Sequence, residues 1–475
     1  MRQRTVRIIS KALACGGLFL WGTARSISVD AEVNLYYALD CLAALIPCTT
    51  DAIPLAVDAS DGRLNTAVDH WQRLRLRPLG STPQGALAFE PLPMANLFAA
   101  VPGGGSRLQD SDSLQFVTDT LRGDFDRRWR TQSRGHLRRM SILLQAQLTS
   151  EPLASALLAT AGFLGTDSND LPTVEMVAIT TGLGGSHAHL RGDTMYVETA
   201  YGEDPLDRIG VLVHETVHYW MARMSAIHAA AIATEFHRAD THCGGVAFNL
   251  FDEAIPTAIG NGYVERLMHT PDRFREYLSL PESFYGDTDI DMLAKAILPL
   301  VTEYLDSGRV LDASFVQRYL DIATRVLDER CNSLALQLRT SAFWLEDIRL
   351  LEARNVTTRA FGSATVMTDI GVRGDDAALI EFEGLSGIVV ATHRQVFDLP
   401  PIAPGLKTAL HRLGRRYEAF VLAWPRNAQA TIYFVVANNT VRAGELLVQL
   451  AGLKKDRFTG LWIPPALPTL DSVPE

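Results

Sequence analysis

The sequence contains no G-x-S-x-G, no G-x-x-x-x-G-K-[ST] and no Cys-x-x-Cys, which removes the commonest serine-hydrolase, nucleotide-hydrolase and thiol-redox readings. It has no internal repeat and no heptad run, so neither a solenoid nor a coiled coil is expected. Basic residues are in deficit: 44 Lys and Arg stand against 54 Asp and Glu, a formal charge of −10. An acidic chain is a poor nucleic-acid binder, so no nucleic-acid partner is expected. Long apolar runs are missing too. The clearest one, "ALACGGLFLW" at 12–21, is about half the roughly twenty residues that cross a bilayer.

That short run follows Arg2, Arg4, Arg7 and Lys11 and precedes the small residues Gly22, Ala24, Ser26 and Ser28. This is the order of a secretory signal peptide over residues 1–24, with cleavage after Ala24. The mature chain is then exported, periplasmic or secreted, with no stable membrane span; an uncleaved N-terminal anchor is the alternative. Removing four positive charges and no acids takes the charge from −10 to −14. Four of the five cysteines remain, Cys41, Cys48, Cys243 and Cys331, and an oxidising compartment permits them to pair. Cys41 with Cys48 is the local candidate, which leaves Cys243 and Cys331.

With 47% hydrophobic and 21% charged residues over 475 positions, the chain reads as globular, with two or three domains. Residues 25–165 read as a mainly helical region, 166–355 as a central domain and 363–475 as a C-terminal α+β domain. Within the first, helical patterns run over about 111–149 and 152–163. Two strand-like runs follow, "TVEMVAITT" (173–181) and "TMYVETA" (194–200), before helical patterns dominate from 205 to 355. The tail carries the strand-like runs "ALIEFEG", "GIVVATH", "YEAFVLAW", "ATIYFVVAN" and "ELLVQLAGL", and one basic helix near 405–416. The basic stretch 127–140 reads as a solvated helix face, with phosphate or membrane-surface binding as the alternative. His187 and His189, in "GGSHAH", read as part of a mobile loop, with an accessory metal role as the alternative.

The densest chemical signal is "VLVHETVHYW" at 211–220. Asp204 is a good N-cap, Pro205 suits the first helical position and Asp207 complements the helix dipole. A helix over about 205–224 follows, with Leu206, Ile209, Val213, Val217, Trp220 and Met224 as its apolar stripe. On it His214 and His218, four apart, project from one face one turn above the other, the separation two imidazoles need to hold one metal ion. Glu215 does not overlay them but reaches a water on the same ion, whose proton it can take as that water attacks a carbonyl carbon. The blander reading is a core helix with two histidines.

His214, Glu215, His218 and the preceding strand "TMYVETA" resemble the zincin metallopeptidases. The resemblance covers roughly 173–270 and implies a zinc-like site (Zn2+), a peptide or protein substrate, and a strand that forms the edge to which substrate adds. The metzincin form is not expected, because "HYWMARMSAIH" has no glycine after the second histidine and its only later histidine is His228. The gluzincin form implies a downstream glutamate. Glu253, after 34 intervening residues, is preferred because Ala254, Thr257, Ala258 and Gly260 let its helix approach the first closely. Pro256 then places Glu253 at the very start of that helix. Glu235 and His237 are the alternative ligands. Asp252 is a helix-dipole acid, an N-cap or a group orienting a histidine. Tyr263, or else Tyr285, is the candidate transition-state donor.

The resulting expectation is an α+β protein with a zincin-like catalytic domain and a C-terminal α+β domain, acting as an exported zinc metallopeptidase. His214, His218 and Glu253 are its expected metal ligands, and Glu215 and Tyr263 its expected catalytic residues. The alternative is an exported binding or assembly protein that keeps the fold without the turnover.

Overall fold

The computed structural model describes residues 27–42, 62–75, 108–179, 188–191, 193–200, 203–238, 243–337, 342–344, 350–361, 366–368, 387–398, 405–425, 431–453 and 461–462. The signal-peptide segment, Cys48, His187 and "ALIEFEG" lie outside them. The protein is α+β, mostly helical, with two small sheets among the described residues. Among the described residues it divides into two compact units, the first ending at Asp328 and the second beginning at Glu329. No helix among the described residues is long and apolar enough to cross a membrane.

In the first unit, helices α1 (Ala31–Leu42), α2 (Gly62–Arg75), α3 (Leu108–Arg128), α4 (Arg134–Leu148) and α5 (Glu151–Leu164) precede the sheet. A π-helical turn, Trp129–Ser133, joins α3 to α4. Helix α5 has proline in its first turn and ends at Gly165, whose φ of 67° is the left-handed conformation that closes a helix. The sheet comprises β1 (Thr173–Ile179), β2 (Ala188–Arg191) and β3 (Thr194–Ala200) in the order β1-β3-β2. Strand β1 runs parallel to β3 and β2 antiparallel to it. The N-terminal helical region and the sheet therefore belong to one unit.

Strand β3 is central rather than the edge that the resemblance implies. The segment "AHLR", read in the sequence as the end of a glycine-rich loop, pairs along it from Ala188↔Val197 to Arg191↔Thr194. Four residues beside glycines carry too little periodicity to be read as a strand. On the far side, Asn34 of α1 acts like a strand residue. Its Nδ2 donates to Met176 O at 3.0 Å and its Oδ1 accepts from Ala178 N at 2.9 Å, satisfying backbone groups that a bare sheet edge would expose.

After the sheet come a 3-10 turn (Pro205–Arg208), α6 (Ile209–Met221), α7 (Ala226–Arg238), α8 (Gly244–Thr257), a π-helical segment (Ala258–Val264), α9 (Glu265–Met268), α10 (Pro271–Ser279), α11 (Thr288–Ser307) and α12 (Ala313–Leu327). Asp204 caps the 3-10 turn by accepting from Leu206 N at 3.0 Å. Ile209, Val213, Val217 and Trp220 are buried as the stripe predicts, whereas Leu206 remains exposed. Helix α12 shows the same logic: Asp312 caps it, and Phe315, Val316, Tyr319, Leu320 and Ala323 form its buried face. Cys243 and Cys331 are both disulfide-bonded.

The second unit holds α13 (Leu334–Gln337), β4 (Ala342–Trp344), α14 (Leu350–Phe361), β5 (Val366–Thr368), β6 (Gly387–Ala391), α15 (His393–Asp398), α16 (Leu406–Gly414), β7 (Phe420–Pro425), β8 (Thr431–Val436), α17 (Thr440–Ala451) and β9 (Leu461–Trp462). Its six described strands lie in the order β5-β4-β6-β8-β7-β9, parallel from β5 to β8, with β7 antiparallel to both neighbours. Alternate residues feed two cores. Ile388, Val390, Val421, Tyr433 and Val435 face one side, and Val389, Phe420, Leu422, Ile432 and Phe434 the other. Both faces are covered, so the strands read as continuous apolar runs.

Two sequence readings fail here. Strand β4, three residues long, pairs with both β5 and β6 inside the stretch read as helical to 355, so the second unit starts well before 363. "ELLVQLAGL" belongs to helix α17, which Asn439 caps by accepting from Arg442 N at 2.9 Å. Its buried Ala443, Leu446, Leu447 and Leu450 follow helical spacing.

Candidate metal centre

Helix α6 presents His214 and His218 on one face, and α8 crosses that face with Glu253. His214 Nε2 lies 3.0 Å from His218 Nε2, and Glu253 Oε2 lies 3.5 Å from each. Donor atoms about 2.0–2.1 Å from a tetrahedral zinc sit roughly 3.3 Å apart, so this near-equilateral triangle fits one ion. No other group of three or more His, Cys, Asp or Glu side chains among the described residues converges in this way. Glu253 Oε2 is buried and accepts no hydrogen bond, which leaves an oxygen facing the two imidazoles without a donor of its own. Two histidines and a glutamate are the donor set of a catalytic zinc site with one position left for water.

The crossing is close because two glycines meet in it. A Cβ on Gly260 would lie 2.4 Å from Gly210 O and 2.9 Å from His214 Cβ, so only glycine lets the π-helical segment lie against α6 here. The sequence places Glu253 at the start of its helix; the structure places it in the third turn of α8, with Pro256 near the C-terminal end. A proline is confined to the first turn only where the α-helix is unbroken. Here the ladder changes to π spacing at Ala258, immediately after Pro256 and Thr257, and such a bulge accommodates a residue that cannot donate its N–H.

Neighbouring groups hold the ligands. Thr257 Oγ1, fully buried, lies 3.5 Å from His214 Nδ1, so the hydroxyl faces the ring nitrogen opposite the metal-facing one. The sequence offers Thr257 only as a small residue at the helix crossing. Its spacing of four from Glu253, which puts both on one face of α8, is the signal for its second role. Asp252 Oδ1 lies 3.8 Å from His218 Nδ1, which makes Asp252 the partner of a histidine rather than an N-cap. Carboxylates behind metal-binding histidines fix ring orientation.

The electrostatics of the cluster follow from burial and these partners. Burial pushes the His214 pKa down. It opposes a charge on His218 also, but Asp252 and Glu253 outweigh it and hold His218 up at about 10. Burial likewise favours a protonated Glu253, yet the two histidines facing it outweigh burial, and its carboxyl falls well below the usual range. Without a metal, one proton on the histidine pair balances the Glu253 carboxylate. Glu215, mostly buried beside them, is raised to about 7 by desolvation, with the Glu253 and Asp252 charges adding and His218 opposing.

The two tyrosines separate clearly. Tyr263 is not brought to the cluster: its hydroxyl donates to Asp306 Oδ1 at 2.8 Å. Tyr285 is. Its ring stacks on His214 with centroids 5.9 Å apart and planes 19° from parallel. Burial, then the nearby Glu253 charge, raise the Tyr285 hydroxyl well above its ordinary pKa and keep it protonated. Of the alternative ligands, Glu235 pairs with Arg238 at 3.0 Å.

No known protein family, curated protein or solved structure matches the chain.

Proposed function

We propose that this chain is an exported zinc-dependent metallohydrolase, a peptidase of gluzincin-like zincin type that cleaves a peptide or amide bond. The observation that carries the reading is the triangle of His214 Nε2, His218 Nε2 and Glu253 Oε2, with sides of 3.0, 3.5 and 3.5 Å. Zinc, when bound there, supplies a Lewis acid and a water acidic enough to ionise near neutral pH.

The chain's own groups do the rest. Glu215 takes the proton of the attacking water and passes it to the leaving amine, and a carboxylate whose pKa burial raises to about 7 suits both transfers. Tyr285, protonated and stacked on His214, is the donor placed to stabilise the oxyanion. Thr257 and Asp252 hold the two imidazoles from behind.

The test is the zinc content of the purified protein beside Glu253→Ala and His214→Ala. About one zinc per chain, lost in both variants, supports the three-ligand site. A wild type that stays metal-free under zinc-replete conditions makes α6 a core helix and removes the enzyme reading. Once a cleaved substrate is found, Glu215→Gln should keep its zinc and lose at least about 100-fold in rate. Retained hydrolysis takes Glu215 out of the mechanism.

A further inference from the structure

Between Asp126 and Glu151 the sequence has six arginines and no acidic residue, in a chain whose acids outnumber its bases by 54 to 44. Arg127 and Arg128 pair with Asp124. Arg130, Arg134, Arg138 and Arg139 are exposed, and none of them forms an ion pair with a described residue. Helix α4 buries His136, Leu137, Met140, Ser141, Leu144 and Leu148. At about 100° per residue, Arg134, Arg138, Ile142, Arg139 and Leu143 then fan across the opposite half of the helix. That half displays two large aliphatic side chains, Ile142 at 67% exposure and Leu143 at 51%, among the arginines.

We propose that this face of α4, extended by Arg130 on the π-helical turn, is a docking surface for a bilayer bearing anionic headgroups. The charge has a complement there and finds none in an ion pair among the described residues. Guanidinium groups bind phosphate oxygens in a bidentate manner. Aliphatic side chains set among the cations are what an interfacial helix sinks into the headgroup and acyl boundary. Nucleic acid would satisfy the arginines but give Ile142 and Leu143 no apolar environment, so lipid is the occupant that uses both halves of the pattern. The surface serves to concentrate the protein at a membrane.

The experiment is co-sedimentation of the full chain with vesicles of phosphatidylcholine alone and of phosphatidylcholine containing phosphatidylglycerol, at low and high salt, beside Arg138→Gln/Arg139→Gln and Ile142→Ser/Leu143→Ser. All these residues are on the surface, and an unchanged unfolding midpoint verifies that the variants fold. The wild type should bind only the anionic vesicles, and more weakly as salt rises. The arginine variant should bind about 30-fold more weakly, about five-fold for each charge removed, and the serine variant should also lose affinity. No binding, equal binding to neutral vesicles, or equal binding by wild type and arginine variant would overturn the proposal. So would tighter binding of duplex DNA than of vesicles that is lost in the arginine variant and kept in the serine variant.

Discussion

At the scale of single residues, the metal-free site carries a proton where a cation fits. His218, held near a pKa of about 10, is charged at neutral pH and must become neutral to bind metal. Zinc binding at pH 7 should therefore release about one proton, measured as a binding heat that changes with the ionisation enthalpy of the buffer. A buffer-independent heat would show that His218 is already neutral. The tyrosines give a paired prediction. Tyr285→Phe should lower hydrolysis about 100-fold with zinc retained, since it removes the proposed oxyanion donor. Tyr263→Phe should leave the rate unchanged and cost about 1–2 kcal/mol of stability through its lost hydrogen bond to Asp306, read by urea unfolding. His214, Glu215, His218 and Glu253 were legible in the sequence because fixed spacing on a helix and small residues at a crossing are local signals. Choosing Tyr285 over Tyr263 was not, because it depends on which way a loop brings a ring back to His214.

At the scale of elements, the crossing of α6 and the π-helical segment holds the site together. Gly260→Ala would push a methyl group into Gly210 O and His214. It should destabilise the protein by about 1–3 kcal/mol and weaken zinc binding together, in contrast to an alanine at exposed Gly245, whose Cβ would meet nothing within 4 Å. Zinc affinity equal to wild type in Gly260→Ala would mean that α6 and α8 hold the ligands without this contact. The same crossing contains a pH-sensitive pair. Burial, with Asp207 adding, raises Glu265 to about 7, and burial with the Arg273 charge lowers His269. Glu265 Oε2 lies 2.9 Å from His269 Nε2. An unfolded Glu265 ionises near 4.5 and the folded one near 7, so the unfolded state gains ionisation free energy over that window. Glu265 should therefore lower stability by at most about 3 kcal/mol as pH rises from about 4.5 to 7, beside a contribution of the same sign from Glu215. Glu265→Gln should flatten this slope in denaturation curves taken across the window; an unchanged slope would assign it elsewhere. The strands were less legible than the helices. β2 and β4 have four and three residues, too few for a period, and α17 looked like a strand because its apolar half was read without its Asn439 cap.

At the scale of the whole molecule, each unit has a core of its own and only the first holds the metal ligands. Heating should resolve two transitions, and zinc at 100 times its dissociation constant should raise only the first unit's, by about 2.7 kcal/mol at the unfolding midpoint. A single transition shifted as a whole would mean that the units unfold as one. The two π-helical segments bear on the chain's length. Removing a residue from an α-helix turns everything beyond it by about 100°, and in α6 or α8 that would scatter the buried faces. A π-helical turn already holds one residue more than the α-helical ladder around it needs, so a deletion within 129–133 or 258–264 can be absorbed with the flanking faces still aligned. Among the described residues the helices thus have two places where the ladder carries one residue more than it needs, and at the second Gly260 lies against His214.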